Sequence, residues 1–331
     1  MFVIGEVGLA HDGSLGAAHA YVDALAKTGV NAIKFQTHIA EAESSKYEQF
    51  RVNVFPQDST RFDYWKRTSF EKAQWIELAE HCREVGLTFM SSPFSHEAVE
   101  LLQDCKTPAW KVASGEVTNL PLLKHMAETG KPILVSSGMS SWKELDRTVE
   151  YLTTLNASFG LFQCTTAYPC PPEQWGLNII SEMKARYGCP IGLSDHSGTI
   201  TPSLAAKLLG ASMVECHVVF SREQFGPDSK ASLTFEEMTA LLDGIRNIEM
   251  ADRNPVDKDL IAEASESNRK LFSKSLYAAR DLNPGVVLSK KDVLIRKPRL
   301  GVPASEYESS LGRTIKSFIA AGDPINADSL C

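Results

Sequence analysis

The sequence predicts a (β/α)8 (TIM) barrel followed by a small β-rich module. Three observations carry that expectation. Eight short β-rich runs each give way to a longer amphipathic stretch, polar side chains gather where the runs end, and the composition shifts beyond Met250. Barrel enzymes carry their chemistry at the C-terminal ends of the strands and in the loops that follow, so a ring of polar strand ends is what this fold would display. A doubly wound open sheet is the competing reading, but no glycine-rich dinucleotide fingerprint follows the first run.

In chain order the expected strands are Phe2–Val7, Ala32–Gln36, Thr88–Ser91, Ala109–Val112, Ile133–Ser136, Phe159–Cys164, Ile191–Ser194 and Met213–Val218. The amphipathic segments are Ala17–Lys27, Glu71–Val85, Glu97–Leu102, Leu120–Glu128, Ser141–Leu152, Ile179–Arg186, Pro202–Leu208 and Phe235–Ile248, whose apolar positions recur at helical spacing. Ala40 to Ser69 is long, polar and aromatic, and a loop of that size is usually a lid or binding loop. These units place the barrel at 1–250. Residues 251–268 are charged, carry Asn254-Pro255, and read as a linker or an exposed helix. The rest, 269–331, is turn-rich and contains a faint repeat: Leu282-Asn283-Pro284-Gly285-Val286-Val287-Leu288 resembles Ile319-Ala320-Ala321-Gly322-Asp323-Pro324-Ile325. A module of about 60 residues is marginal alone, and is expected to dock on the barrel or on another subunit.

Composition narrows the function. A 331-residue chain with 43% hydrophobic and 23% charged residues is ordinary for a soluble globular protein. The net charge of −7 and the absence of a basic stripe argue against nucleic acid as a partner. No apolar run reaches the roughly 18 residues of a membrane span, and Met1-Phe2-Val3-Ile4 enters a strand pattern without a charged leader. Seven cysteines without CxxC spacing read as reduced thiols in a cytoplasmic protein.

The strand ends supply the candidates. His196, in Ser194-Asp195-His196, and His217, in Val214-Glu215-Cys216-His217, end neighbouring units and could offer two neutral imidazoles to one divalent ion. The alternative is two hydrogen-bonded histidines at a barrel mouth. Strand alternation turns Cys216 away from the His217 side. Lys34 and Lys111, with Ser92, Ser114, Ser136 and Ser194, form a set suited to an anionic ligand, because cations and hydroxyls together hold phosphate or carboxylate. A Schiff-base role is open to either lysine. Glu6 and Glu116 are the candidate acid/base carboxylates, against the alternative of a buried salt bridge to Lys34 or Lys111. Asp228 sits in a Gly-Pro-Asp turn, where an Asp commonly serves the turn itself. Tyr168 is open between loop packing and a sugar contact.

The string of strand ends resembles the sialic acid synthases, a family that includes the legionaminic and pseudaminic acid synthases and related spore-coat polysaccharide enzymes. The matching stretches are Gly5-Glu6-Val7-Gly8 with His11-Asp12-Gly13, Ile33-Lys34-Phe35-Gln36-Thr37, Ser91-Ser92-Pro93-Phe94 and Lys111-Val112-Ala113-Ser114-Gly115-Glu116. Ser136-Ser137-Gly138-Met139, Cys164-Thr165-Thr166-Ala167-Tyr168-Pro169, Leu193-Ser194-Asp195-His196 and Gly226-Pro227-Asp228 follow in the family's order. The tail resembles that family's antifreeze-like (SAF) domain.

The resemblance implies condensation of phosphoenolpyruvate with an open-chain N-acetylhexosamine, with a divalent metal, most often Mn2+ (Mg2+ or Co2+ being alternatives). It assigns the metal to His196 and His217, and phosphoenolpyruvate to Lys34, Ser92, Lys111, Ser114, Ser136, Thr166 and Ser194. Gln36, Tyr168 and Asp228 would contact the amino sugar, and Glu6 and Glu116 would handle proton transfer and the attacking water. It further implies a homodimer in which the tail of one subunit covers the other's sugar site. Three departures stand out. Ser92 replaces a common Thr, Thr166 replaces Asn or Ser, and Lys297 in Arg296-Lys297-Pro298-Arg299 stands where an Arg is usual. Lys cannot reproduce the planar, forked contact of Arg. Other readings are a different phosphoenolpyruvate–sugar synthase, a metal-dependent barrel hydrolase, and a non-enzymatic carbohydrate-binding protein.

Overall fold

A computed structural model describes residues 1–52 and 57–331, and divides them into two compact units, Met1–Asp252 and Arg253–Cys331. In the first, eight parallel strands alternate with helices. They are β1 (Phe2–Gly8), β2 (Ala32–Thr37), β3 (Thr88–Pro93), β4 (Trp110–Val112), β5 (Ile133–Ser136), β6 (Phe159–Cys164), β7 (Ile191–Asp195) and β8 (Met213–His217). The ladder runs β3-β2-β1-β8-β7-β6-β5-β4, and β3 and β4 pack side by side across the remaining seam. The expected (β/α)8 barrel is what forms. The expected strands are met to within two residues at each end.

Outside the strands lie α1 (Leu15–Thr28), α2 (Ala40–Glu43), α3 (Arg61–Thr68), α4 (Lys72–Glu84), α5 (His96–Asp104), α6 (Leu120–Glu128) and α7 (Trp142–Thr154). They are followed by α8 (Leu177–Tyr187), α9 (Thr201–Leu208) and α10 (Phe235–Arg253). Local chemistry sets their ends. Ser14 accepts from the Ala17 amide to open α1, and Ser141 and Glu144 form a reciprocal capping box at α7. Gly29 closes α1 at φ 86°, a conformation that a side chain resists. Apolar residues from strand backs and helix faces make the main core, with Trp75, Trp110 and Phe35 among its largest buried side chains.

The loop expected from Ala40 to Ser69 is partly helical. Thr60 and Asp63 supply the capping box that starts α3, while residues 53–56 lie outside the described set. Of the two readings of 251–268, linker or exposed helix, the helical one is what forms. The last barrel helix runs on to Arg253, and α11 (Lys258–Ala264) and α12 (Glu266–Phe272) follow, α11 capped by Asp257.

The second unit pairs β9 (Ser275–Ala278) with β10 (Val293–Arg296) antiparallel, and a single turn, α13 (Tyr307–Ser310), follows. The faint repeat has a structural meaning. Leu282 and Ile319, at equivalent places in its two copies, bridge each other through reciprocal backbone hydrogen bonds of 2.9 and 3.0 Å. Its own core holds Leu276, Leu282, Ile315 and Ile325. Ile325 is fully buried in so small a core. Ile325→Ala is therefore expected to destabilise this unit by about 2–5 kcal/mol, read as faster amide exchange across 275–330 with the barrel amides unchanged.

Candidate active site

Strand alternation builds the site in tiers. Residue pairing across the ladder keeps one parity pointing inward on all the strands, for example Glu6 beside Lys34 and Ser194 beside Glu215. At the base of the barrel interior Ile4, Ala32, Met90, Phe162 and Met213 form an apolar plug, with Ala109 and Leu134 packed against it. Two residues further along those strands come Glu6, Lys34, Ser92, Cys164, Glu215, Lys111 and Ser136. Two further again come Gly8, Gln36, Phe94, Thr166, His217, Ala113 and Gly138. The seventh strand contributes Gly192, Ser194 and His196 in the same steps. A plug tier, an ionic tier and a mouth tier follow from a period of two.

The ionic tier holds four buried charges. Lys34 Nζ lies 2.5 Å from Glu6 Oε2 and 3.8 Å from Glu215 Oε1, and Lys111 Nζ is 3.1 Å from that same Glu215 oxygen. Hydroxyls close around them: Lys34 donates to Ser92 Oγ at 3.3 Å, Lys111 to Ser136 Oγ at 2.6 Å, and Ser194 Oγ to Glu215 Oε1 at 3.1 Å. Burial pushes the Glu6 carboxyl up to about 7, with Lys34 opposing and Glu215 assisting. Burial acts upward on Glu215 too, but Lys111 and Lys34 outweigh it and hold that carboxyl low. Burial works against the Lys34 ammonium, and Glu215 and Glu6 more than restore it. The salt-bridge alternative for Glu6 is thus realised, and in a form that also poises its proton near neutrality.

Above this tier the two histidines meet, their ring centres 5.3 Å apart. Burial drives both well below the ordinary imidazole value, to about 3, so both rings are neutral. His196 Nδ1–H donates to the Thr165 carbonyl at 2.9 Å, which leaves Nε2 as the lone-pair nitrogen. A neutral pair with one tautomer fixed by a carbonyl suits a divalent ion. Among the described residues no group of three or more His, Cys, Asp or Glu side chains is placed to enclose a metal, so such an ion would keep open positions for water or substrate oxygens.

A cradle opens beside Lys111. A Cβ on Gly138 would fall 2.5 Å from Ser114 Oγ and 2.6 Å from Thr166 Oγ1, so only glycine lets those hydroxyls converge. Ser114 Oγ also donates to Cys164 Sγ at 3.5 Å. The mouth beyond is a cavity of about 250 Å³, lined by Gln36, Tyr168, His217 and Asp228 with an apolar wall that includes Tyr64 and Trp65. Gln36 Nε2 donates to Glu6 Oε1 at 3.1 Å, and Tyr168 stacks on His196 at 4.1 Å.

Most of the expected site residues come together, and two stand apart. Glu116 lies on a short 3-10 turn after β4, half-buried, with Oε2 accepting from Asn119 at 2.7 Å. Lys297 belongs to the second unit, its Nζ 5.7 Å above the Phe272 ring. Asp195 accepts from the Ser197 amide and from the Ser197 and Ser203 hydroxyls, a bracing role beneath the loop. Three contributors escaped the sequence reading. Glu215 looked like one more strand residue before a histidine, although the inward parity of His217 could have found it. Arg51 bonds Asp228 at 2.7 Å and lies 4.1 Å over the Tyr168 ring. His38 is sandwiched between Trp65 and Phe94, with Nδ1 2.5 Å from Glu43. Neither carried a local pattern to mark it.

Residues 21–257 match the NeuB family, and residues 273–330 match the SAF domain. The chain belongs to the NeuB family. It is 31% identical over 317 residues to the N,N'-diacetyllegionaminic acid synthase of Campylobacter jejuni, covering 94% of each chain. Human N-acetylneuraminate-9-phosphate synthase is 30% identical over 329 residues, with 98% of this chain and 91% of that protein covered. Among solved structures, the N-acetylneuraminic acid synthetase of Leptospira borgpetersenii superposes with a TM-score of 0.70 at 27% identity, over 81% of this chain and 90% of that one. The expected family is borne out by the family matches and these relatives.

The Glu6 proton gives a test of the ionic tier. With its pKa raised from 4.5 to about 7, the folded NeuB-family chain holds a proton that the unfolded chain loses between those values, so this residue makes stability fall as pH rises through that window. Glu6→Gln removes that slope. Unfolding midpoints in metal-free buffer from about pH 5 to pH 8 should fall for the wild type relative to Glu6→Gln; parallel curves would contradict the assignment.

Proposed function

We propose that the protein is a nonulosonic (sialic-type) acid synthase, condensing phosphoenolpyruvate with an open-chain N-acetylated hexosamine and releasing phosphate by C–O cleavage. The observation that carries this reading is the ionic tier: two buried lysines among hydroxyls, directly below a neutral histidine pair and beside a carboxyl poised near neutrality. A hydrolase would leave both lysines without a task, and a binding protein would not need a buried titrating carboxyl. The names of the relatives, synthases of legionaminic and N-acetylneuraminic acid types, support the same reading.

Lys34 and Lys111 receive the anionic groups of phosphoenolpyruvate, with Ser92, Ser114, Ser136, Thr166 and Ser194 as hydroxyl partners, in a pocket where dry surroundings strengthen each contact. Gln36, Tyr168 and Asp228 position the amino sugar so that its aldehyde carbon faces C3 of the enol. As that bond forms, positive charge develops at C2. Glu6 stands where it can stabilise that charge and exchange a proton with the water that adds there. Glu116 is the second candidate for that water, although its carboxylate stands apart on the turn after β4 and accepts from Asn119. A divalent ion, Mn2+ by preference over Mg2+ or Co2+, fits His196 and His217 and would supply Lewis acidity toward the sugar's carbonyl oxygen.

The active form is a homodimer in this reading, with the SAF domain of one subunit serving the sugar site of the other and Lys297 entering that site in trans. In this reading the protein works in the cytoplasm, which seven free thiols favour.

The deciding experiment incubates the protein with phosphoenolpyruvate, Mn2+ and either N-acetylmannosamine or its dideoxy diamino analogues, and follows phosphate and new keto acid together. Stoichiometric release of both is expected; no phosphate with any such sugar would remove the proposal. His217→Ala should abolish turnover while retaining the fold, and full turnover in a chelator-treated sample would remove the metal role. Gly138→Ala fills the cradle, so kcat/KM for phosphoenolpyruvate should drop by about 100-fold or more, chiefly through KM, with the unfolding midpoint little changed.

A further inference from the structure

A second pair of histidines lies on the outside of the barrel, where α1 and α4 pack side by side. His19 and Asp23 sit one turn apart on α1, and Glu77 and His81 one turn apart on α4, so each helix presents an imidazole and a carboxylate on one face. His19 Nδ1 and His81 Nδ1 approach to 2.8 Å, with ring centres 4.9 Å apart. The far nitrogens face carboxylates: His81 Nε2 is 3.1 Å from Asp23 Oδ1, and His19 Nε2 is 3.8 Å from Glu77 Oε1.

Tautomer bookkeeping leaves this arrangement one hydrogen short as two neutral rings. A ring nitrogen facing a carboxylate carries its hydrogen, so Asp23 places the His81 proton on Nε2 and leaves its Nδ1 a lone pair. Glu77 favours the same tautomer for His19. Two lone pairs then point at each other across 2.8 Å. If His19 instead carries its hydrogen on Nδ1, it donates to His81 Nδ1 in an ordinary hydrogen bond, but a bare Nε2 then faces Glu77 at 3.8 Å, buried with no hydrogen-bond partner. Something cationic between the rings removes the conflict. Imidazole nitrogens that converge on one point, each ring backed by a carboxylate on its far nitrogen, are how proteins hold first-row transition metals.

We propose that His19 and His81 bind a divalent transition-metal ion through their Nδ1 atoms, with Asp23 and Glu77 orienting the rings, so that the ion staples α1 to α4 at a site separate from the barrel mouth. Ligation at about 2.0–2.1 Å sets two nitrogens about 3.3 Å apart, so the rings need part by only half an ångström or so. Both side chains are about a quarter exposed, at 24% and 22%, and have room to do so. Water completes the coordination, and Zn2+, Ni2+ or Cu2+ suit such a nitrogen pair better than Mg2+ or Ca2+.

The test uses the full chain stripped of metal and titrated with Zn2+ by calorimetry and by equilibrium dialysis. His19→Asn combined with His81→Asn should bind one equivalent fewer than the wild type and lose the part of the Zn2+-dependent rise in unfolding midpoint that belongs to this site. Synthase turnover should be unchanged. Asp23→Asn, a milder change, should weaken the same site by about 10-fold or more and keeps the test open should the double variant fold poorly. Equal stoichiometry in wild type and double variant, or unaltered affinity in Asp23→Asn, would mean that a shared proton alone joins the two rings.

Discussion

Four buried charges hold the inside of this barrel in its working form. Lys34, Glu6, Glu215 and Lys111 are each nearly inaccessible, and together they form an alternating chain of cations and carboxylates. An isolated charge at such a depth costs several kcal/mol even after relaxation, and pairing is what makes the set tolerable. The members are therefore interdependent: removing one strands its neighbour. Apolar residues of similar volume would give a barrel as stable or more so. Four ionisable groups kept at this depth are thus better explained by the site they line than by stability.

The position of those charges follows from arithmetic on the strands. Because a strand turns every second side chain inward, each element that places an apolar residue in the plug must place its next inward residue in the ionic tier and the one after that at the mouth. Ile4, Glu6 and Gly8 show the sequence on β1; Met213, Glu215 and His217 show it on β8. Glycine takes the mouth position twice, on the first and fifth strands. At Gly8 a Cβ would lie 3.6 Å from the His217 ring and 3.4 Å from Glu6, and φ is 56°. At Gly138 it would displace two hydroxyls. Space in the mouth is set by what these two residues lack.

How much of this was legible in the sequence depended on whether a signal was local. Eight strand–helix alternations, the lysines, the serines and the histidine pair all lie in short apolar contexts that end abruptly in polar groups, and each could be read where it stands. Glu215 could not, because reading only the last residue of each strand skips the inward position before it. The helices α2 and α3 were hidden in a stretch whose polar and aromatic residues serve the mouth rather than a regular amphipathic face. Residues 251–268 left a linker and an exposed helix both open because their charged run shows no clear apolar period, and Asp257, accepting from the amides of Asp259 and Leu260, starts a helix there. His38 and Arg51 needed the fold: their partners lie on other loops.

That division separates chemistry from selectivity. The ionic tier rests on strands whose pairing fixes its side chains, and the mouth tier extends from it to residues just past the strand ends, such as Thr166 and His196. The outer wall of the mouth comes instead from loops after β2, β6 and β8, drawn together by Arg51, which bonds Asp228 and covers the Tyr168 ring. Arg51 is 42% exposed and its bond to Asp228 joins two loops far apart in sequence, so this tie can exchange partners without disturbing any strand. Loops on a rigid scaffold are where recognition can change while catalysis persists. The apolar side of that wall includes Phe50, Tyr64 and Trp65, and Gln36 and Asp228 give the cavity its polar side. The cavity thus presents opposing polarity across one space, with the histidine pair at its floor.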